Sequence, residues 1–192
     1  MNNNEINAVK AVYSEQKVYQ YKGNPLIEAL PDIIDDPSKL EIQLTKYPIM
    51  NEADLELPAM YRIHLVKNIE NFFKPLSIHY TTEQVISRML RNGSVHRNPV
   101  KKRKEVADYD WQKYPCEDVS PSTTPELGMF GISGIGKTTL VKNILSMYPK
   151  VILHTNYKGD TTVRYQITWL SVQTPSNGSP KSLCLNLLSQ ID

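Results

Sequence analysis

One glycine-rich stretch, residues 131–139, limits what this chain can fold into more than any other feature. It reads Gly-Ile-Ser-Gly-Ile-Gly-Lys-Thr-Thr and satisfies the pattern G-x-x-x-x-G-K-[ST]. Glycines let a backbone curl so that successive N–H groups point inward, and a helix that follows adds its unpaired N-terminal donors. Such a loop binds the phosphates of a nucleotide when a buried strand precedes it and a helix follows it.

Both flanks of the stretch agree with that requirement. The apolar run at 127–130 predicts a strand, and apolar residues at helical spacing over 140–147 predict a helix, which Pro149 ends. We therefore expect an ATP-binding loop in which Lys137 reaches the β- and γ-phosphates and the Thr138 hydroxyl ligates Mg²⁺. The predicted phosphate-binding residues are Gly131, Ser133, Gly134, Ile135, Gly136, Lys137, Thr138 and Thr139. The alternative is a chance glycine-rich turn before an ordinary helix.

The composition predicts a cytoplasmic protein without a membrane segment. Of 192 residues, 40% are hydrophobic and 22% are charged, which is typical of globular domains. No apolar run approaches the ~18 residues of a membrane span, and the first residues lack the features of a secretory signal. Cys116 and Cys184 are too few for a disulfide framework or a zinc site. Cys184 lies on an apolar helical face, which predicts a buried thiol.

The charges are distributed unevenly along the chain. Residues 1–59 hold 5 lysines and 10 acidic residues, whereas residues 60–192 hold 17 basic and 10 acidic ones. Prolines and short apolar groups fill residues 1–58, which we interpret as an acidic N-terminal arm that docks on a partner. The alternative is that this segment wraps over the chain's own core.

Residues 59–126 read as a helical lead-in followed by a basic connector. Apolar spacing predicts one helix from Met60 to Phe73 and a second that begins at Thr81 and ends near Gly93. Seven cationic side chains and no acid lie between Arg88 and Lys104. Such a density of positive charge can neutralise DNA phosphates. The alternative is an ordinary solvated loop. The candidate DNA-facing residues in this run are Lys101, Lys102, Arg103 and Lys104.

Residues 127–192 read as the first part of an ATP-binding core. After the loop helix, strands are expected at 151–155 and 166–173. A final helix is expected from Pro180, with Ser179 as its N-cap.

The part after the loop offers little for hydrolysis. Phosphate-loop enzymes need a second carboxylate at a strand end and often an arginine finger. After Lys137 the acids are Asp160 and Asp192, neither of which follows a predicted strand, and Arg164 is the single arginine. The residues therefore predict nucleotide binding without a set of hydrolytic groups.

Several motifs, taken in order, resemble the N-terminal portion of the TnsC/TniB family of transposon-encoded AAA+ regulators, in its TnsC branch. The motifs are Phe73-x-Pro75-Leu76 with His79, Arg97-Asn98-Pro99, Gly131 to Thr138, Tyr148 to His154, Gln166 to Leu170, Asn177-Gly178-Ser179-x-Lys181, Ala11-Val12-Tyr13, and Asn24 to Pro31. A phosphate loop alone is common to many families, whereas this ordered set spans nearly the whole chain.

The resemblance implies an α/β P-loop NTPase fold of AAA+ type with an N-terminal extension. Family members bind ATP and Mg²⁺, assemble on double-stranded DNA as rings or filaments, and stand between a TnsD/TniQ-type target selector and a TnsA/TnsB-type transposase. Carried over by motif, the loop residues cradle the phosphates and Ile78 and His79 line the adenine. Lys181 faces DNA, and the acidic leader docks the target selector.

Measured against that family, the chain is truncated before the Mg²⁺-binding acid strand, the sensor strand and the helical lid. The family sheet order is 5-1-4-3-2, so the strands present here lack neighbours, and we expect the isolated chain to be marginally stable or aggregation-prone. Family members are ATPases, but without the second acid, sensor and arginine finger, enzymatic activity stays open. The alternatives are a short-form ATP-binding adaptor and, with less support because no arginine-rich lid follows the loop, a small P-loop kinase.

Overall fold

A computed structural model describes residues 8–49, 51–100, 125–161 and 163–190 of the chain. The regular elements are β1 (Val9–Lys10), α1 (Pro25–Glu28), α2 (Pro37–Leu44), α3 (Ala59–Leu65), α4 (Ser77–Val95), α5 (Lys137–Leu145), β2 (Val151–His154), β3 (Arg164–Ile167) and α6 (Pro180–Leu188). Short 3₁₀ helices span Tyr19–Tyr21, Glu52–Glu56 and Val66–Asn71.

The chain divides into two compact units, each built from segments that are distant in sequence. The first, here called the sheet unit, comprises the described residues within 1–32, 89–125 and 148–192. The second, here called the loop unit, comprises those within 33–88 and 126–147. Helix α4 contributes its residues up to Arg88 to the loop unit and those from Met89 onward to the sheet unit.

The sheet unit is organised around the central strand β2. Strand β1 pairs parallel to it, with Val9 opposite Ile152, and β3 pairs antiparallel to it, with Gln166 opposite Ile152. A tight turn precedes β3, in which Lys158 and Gly159 have φ values of 49° and 91°. Positive φ at both central residues is the geometry that hairpin turns favour, and glycine adopts it without strain.

Residues near the N-terminus belong to the core of the sheet unit. Ala29, Leu30 and Ile152 form a buried cluster. Helix α1 begins where the Asn24 side chain accepts a hydrogen bond from the Leu26 N–H at 3.1 Å, with Pro25 in its first turn. Residues 9–30 therefore supply a strand, a helix and core side chains to the sheet unit.

The loop unit is helical. Asp36 caps α2, whose buried face presents Leu40 and Leu44. Helix α5 buries Leu140 and Ile144, which lie four residues apart and so share one helical face. An isolated antiparallel bridge joins Lys46 to the segment before α4, through two backbone hydrogen bonds of 2.8 and 3.0 Å with Phe73.

The expected strand at 127–130 is not formed. Residues 125–132 have no regular structure, and Phe130 is 98% exposed. A strand needs neighbours for its backbone groups, and in the described part of the chain this apolar run has none. The strand expected at 166–173 is also displaced and shorter, at 164–167. The strand at 151–154 is confirmed, as is the start of α6 at Pro180 with the Ser179 hydroxyl accepting from the Ser182 N–H.

The predicted helix limits in the lead-in were wrong. The first helix ends at Leu65 and continues as a 3₁₀ helix to Asn71. Helix α4 begins at Ser77, before the predicted cap Thr81, and runs through Gly93. A glycine inside a helix is tolerated at a modest entropic cost, so its presence alone did not mark the end.

The expected burial of Cys184 was also wrong, because its side chain is exposed on α6. The leucines beside it on α6 are likewise exposed. The apolar stripe is present as predicted, but in the described residues nothing covers it.

The described architecture combines helices with one small three-stranded sheet, and a P-loop fold of AAA+ type stays a prediction. Among the residues that the structure describes, no helix has both the length and the apolar character needed to cross a membrane.

Candidate functional site

The glycine-rich loop ends in a backbone conformation that requires glycine. Gly134 and Gly136 have φ values of 81° and 91°, and Gly136 is the N-cap of α5. A Cβ atom at either position would meet nothing within 4 Å. The need for glycine therefore comes from the left-handed backbone and not from crowding.

The loop presents unpaired donors. Residues 133–134 form a turn. Within the described residues, no backbone N–H from Ser133 to Gly136 donates a hydrogen bond of the usual distance and angle, and Gly136 offers no side-chain cap. The first helical bond runs from the Leu140 N–H to the Gly136 carbonyl at 2.9 Å, so the preceding N–H groups of α5 have no helical partner. Exposed donors at the positive end of a helix dipole form an anion site, which suits the phosphates of a nucleotide.

The Lys137 ammonium lies inside the curve of the loop. Its Nζ donates to the Gly131 carbonyl at 2.7 Å and to the Ile132 carbonyl at 2.8 Å. A bound phosphate would compete with these carbonyls for the ammonium, and a charge-assisted bond to phosphate is the stronger of the two. The Thr138 hydroxyl is exposed and makes no bond to a described residue, so it is available to a metal ion.

A cleft of about 510 Å³ opens beside α5 within the loop unit. Its lining residues are Lys46, Tyr47, Ile49, Asn68, Glu70, Asn71, Phe72, Phe73, Thr139 and Asn143. Thr139 belongs to the predicted loop, and Asn143 lies one turn further along α5, where its side-chain oxygen accepts from Lys46 Nζ at 2.7 Å. The volume falls within the range of about 300–1,000 Å³ that is usual for ligand sites.

The cleft combines flat apolar groups with polar ones. The rings of Tyr47 and Phe72 lie 6.0 Å apart between centroids, at an angle of 51°. Aromatic faces stack on bases, while amides and a cation hydrogen-bond to a base edge or a ribose. The arrangement suits a nucleoside whose phosphates extend along Thr139 to the loop.

Apart from Thr139, sequence reasoning missed the residues that line this cleft. Lys46 and Asn143 are 97 positions apart, and no local pattern connects them. Only Asn143 carried a signal, since it lies four residues after Thr139 and must share its helical face.

Ile78 and His79, predicted to line the adenine, lie in the first turn of α4 and are not among the residues that line the cleft. The His79 ring stacks on Phe73, with 5.5 Å between centroids and an angle of 15°. Its Nδ1 accepts from the Leu76 N–H at 3.0 Å. Burial lowers the pKa of His79. These contacts give His79 a local packing role, and Phe73 is the member of the pair that reaches the cleft.

The predicted DNA-facing residues are only partly described. Lys181 lies in the first turn of α6, is exposed, and makes no bond or ion pair with a described residue. Lys101, Lys102, Arg103 and Lys104 lie outside the described residues. Earlier in the basic run, Arg91 is buried and donates to the Pro31 carbonyl. Arg91 is therefore a structural residue and not a phosphate contact.

The positions of Asp160 and Glu70 show which described carboxylates could contribute to a metal site. Asp160 lies in the tight turn before β3, with its Oδ2 3.8 Å from Arg164 Nη2. In the loop unit, Glu70 supplies the carboxylate among the cleft-lining residues. No group of three or more His, Cys, Asp or Glu side chains in the described ranges is arranged to hold a metal ion.

Comparisons with known proteins leave the family open. No protein-family model matches the chain, and no curated protein matches it either. The resemblance to TnsC-type regulators stands on the motifs alone.

Proposed function

We propose that this chain binds Mg²⁺-ATP and is the nucleotide-binding part of a TnsC-like regulator of DNA transposition. One observation carries the nucleotide half of the proposal. Unpaired N–H donors, two left-handed glycines and the Lys137 ammonium converge at the start of α5. A lysine that folds back onto the loop carbonyls, next to helix N–H groups without helical partners, is the arrangement typical of a phosphate-binding loop.

In this proposal the loop residues 131–139 hold the phosphates and the cleft beside α5 holds the nucleoside. Lys137 exchanges its bonds to the Gly131 and Ile132 carbonyls for phosphate oxygens. Thr138 supplies its hydroxyl to Mg²⁺, and the base lies against Tyr47 and Phe72. Mg²⁺ itself neutralises phosphate charge when it is bound.

The regulatory half of the proposal rests on the ordered motifs that resemble the TnsC branch. Nucleotide binding would favour self-assembly into a ring or filament on double-stranded DNA, with Lys181 and the basic residues 101–104 as phosphate contacts. The assembly would link a TnsD/TniQ-type target selector to a TnsA/TnsB-type transposase. An ATP-binding adaptor without hydrolysis is the alternative. It is favoured by the ion pair between Arg164, the first residue of β3, and Asp160 in the preceding turn.

The first experiment measures Mg²⁺-ATP binding by calorimetry, comparing Lys137→Ala with Lys142→Ala. Both lysines lie on α5, but Lys142 is in its last turn and its side chain makes no bond to a described residue. Loss of one charge-assisted contact, worth about 1.5–3 kcal/mol, predicts affinity about 10- to 150-fold weaker for Lys137→Ala. Lys142→Ala should bind like the original chain. Equal weakening in both variants, or no saturable binding by a chain with native circular dichroism, would refute nucleotide binding at this loop.

A second measurement tests the cleft. ATP should bind more tightly than inorganic triphosphate, because only ATP has a base to stack. Phe72→Ser should weaken ATP by about 2- to 10-fold, the value of an aromatic contact, and leave triphosphate unchanged. A loss that is equal for both ligands would show that Phe72 supports the fold and not the base.

The DNA-related part is tested with a fluorescent duplex and Mg²⁺-ATP. Binding that requires ATP, and that weakens steeply with salt, is expected of a regulator that assembles on DNA. An adaptor would bind ATP but not the duplex.

A further inference from the structure

Among the described residues that line the cleft beside α5, Glu70 supplies the carboxylate. It lies near the end of the 3₁₀ helix Val66–Asn71 and is exposed to solvent. Glu70 makes no hydrogen bond or ion pair with a residue that the structure describes. Lys67 lies one 3₁₀ turn earlier, but it does not line the cleft and makes no ion pair with Glu70. The carboxylate is therefore available to a ligand in the cleft.

The ammonium group of the cleft does not neutralise this carboxylate. Lys46 Nζ donates instead to Asn143 Oδ1 at 2.7 Å. That bond joins α5 to the segment before α4, because Lys46 also pairs through its backbone with Phe73. Glu70 therefore keeps its negative charge within the described part of the cleft.

A carboxylate limits which part of a nucleotide can lie beside it. Ionised Glu70 accepts hydrogen bonds and donates none, so it repels phosphates and binds groups that carry O–H or N–H donors. On ATP those groups are the ribose hydroxyls and the amino group of adenine. The phosphates are instead placed at the loop, where Lys137 and the free helix N–H groups favour negative charge.

The ribose matches a carboxylate better than adenine does. Its 2′ and 3′ hydroxyls are adjacent donors, one for each carboxylate oxygen, and hydrogen bonds to a charged acceptor are the stronger kind. Adenine offers a single amino group beside a ring nitrogen that is itself an acceptor. Carboxylates bind ribose hydroxyls in dinucleotide-binding folds for the same reason.

The position of Glu70 along the cleft agrees with a ribose contact. Phe72, two residues later in the chain, is the ring assigned to the base, and Thr139 leads to the phosphates. The ribose is the part of a nucleotide that joins base and phosphates. Glu70 is therefore close in sequence to the base contact and lies in the same cleft as the phosphate end.

We propose that Glu70 is a specificity-determining residue, which accepts hydrogen bonds from the ribose hydroxyls and selects ribonucleotides over nucleotides that lack these hydroxyls. This inference rests on the proposed nucleotide site and deepens it. The loop residues 131–139 hold phosphates that both kinds of nucleotide share, so the loop by itself cannot distinguish them.

The test measures the affinities of Mg²⁺-ATP and Mg²⁺-2′,3′-dideoxy-ATP for the full chain by calorimetry. ATP should bind about tenfold more tightly, the lower end for hydrogen bonds to a charged group, because water replaces the hydroxyls at an exposed carboxylate. Glu70→Ala should reduce this ratio to about one. The ratio is the readout, since removing a negative charge near the phosphates changes both affinities alike.

Glu56→Ala is the matched control. Glu56 is an exposed glutamate at the end of the 3₁₀ helix Glu52–Glu56 in the same loop unit, and it does not line the cleft. Because both glutamates are exposed, neither change should unfold the chain. Glu56→Ala should keep the tenfold ratio. A ratio that survives in Glu70→Ala, or that is lost in both variants, would overturn the assignment.

The outcomes separate this inference from the nucleotide site itself. If the original chain binds ATP and dideoxy-ATP equally, the ribose contact is refuted and nucleotide binding stands. If it binds neither, the proposed site fails and the inference fails with it. If Glu70→Ala weakens both nucleotides equally, and only with Mg²⁺ present, the carboxylate binds the metal ion instead. If GTP binds more tightly than ATP and Glu70→Ala removes that preference, the carboxylate reads a guanine edge, which also contradicts the proposal.

Discussion

Replacing Tyr157 by phenylalanine tests the buried carboxylate of the sheet unit. Glu28 is only 4% exposed. Its Oε1 accepts from the Gly23 N–H at 2.7 Å, and its Oε2 accepts from the Tyr157 hydroxyl at 2.8 Å. Burial and then the hydrogen bond to Glu28 raise the pKa of Tyr157, so the phenol remains protonated and continues to donate.

The size of the destabilisation follows from the hydrogen bond that the Glu28 carboxylate loses. Without it, Lys158 Nζ still lies 3.7 Å from Glu28 Oε2, which is beyond hydrogen-bonding distance. A hydrogen bond to a charged group contributes about 1.5–3 kcal/mol, and the exposed ammonium compensates part of its loss. We therefore expect Tyr157→Phe to lower the free energy of unfolding by about 2 kcal/mol, or about 30-fold in the equilibrium constant. The ring keeps its edge contact with Tyr13 at 4.9 Å, so little packing is lost.

The assay is urea unfolding followed by circular dichroism at neutral pH, with sucrose added to strengthen the native baseline. The slope with urea should not change, because the same surface is exposed. Tyr165→Phe is the matched control, since Tyr165 lies on β3, is 57% exposed and has no hydroxyl bond to a described residue. Its effect should stay within about 0.5 kcal/mol. If the two variants unfold at the same urea concentration, the Glu28 bond contributes nothing and the reasoning fails.

Three further predictions concern pH, backbone and association. Burial lowers the pKa of His154, so the unfolded chain binds the proton more readily than the folded chain. The free energy of unfolding should therefore be greatest above about pH 6.5 and fall below it. In urea unfolding, His154→Gln should reduce this dependence on pH, whereas the same change at the exposed His96 should not. Gly136→Ala places a side chain on a backbone with a φ of 91°, which should cost about 1–2 kcal/mol of stability and weaken ATP binding. Gly93→Ala, inside α4, should instead stabilise the chain by about 0.5–1 kcal/mol. Shifts of the opposite sign in thermal melts would contradict the backbone argument. The exposed leucines of α6 predict light scattering that grows with protein concentration, and a sharp, reversible melt of a monomer would contradict it.

Local signals in the sequence predicted elements that depend on few residues. A helix was expected from the apolar spacing over 140–147, and α5 spans Lys137–Leu145. The start of α6 follows from a Ser-Pro pair that caps and pre-sets the first turn. Strand β2 was predicted because its apolar residues are concentrated in a short run.

Features that depend on distant partners could not be predicted. The run at 127–130 has strand composition, but strand formation is decided by neighbours that the sequence does not name. The cleft beside α5 draws Lys46, Tyr47 and Phe72 from segments far before the loop. The stripe on α6 predicted an apolar face correctly but not whether anything would cover it, so Cys184 was misjudged.

The pairing of β1 with β2 has a consequence for the order in which the chain folds during synthesis. Tyr13, just after β1, bonds to His154 at the end of β2, 141 residues later. At about 5–20 residues per second, a ribosome releases that partner roughly 7–30 s after the N-terminal strand. Closing so long a loop is slow, since its entropy is lost before the contacts form. The sheet unit is therefore expected to assemble last. Until it does, its N-terminal apolar side chains are exposed to water or are held by a chaperone.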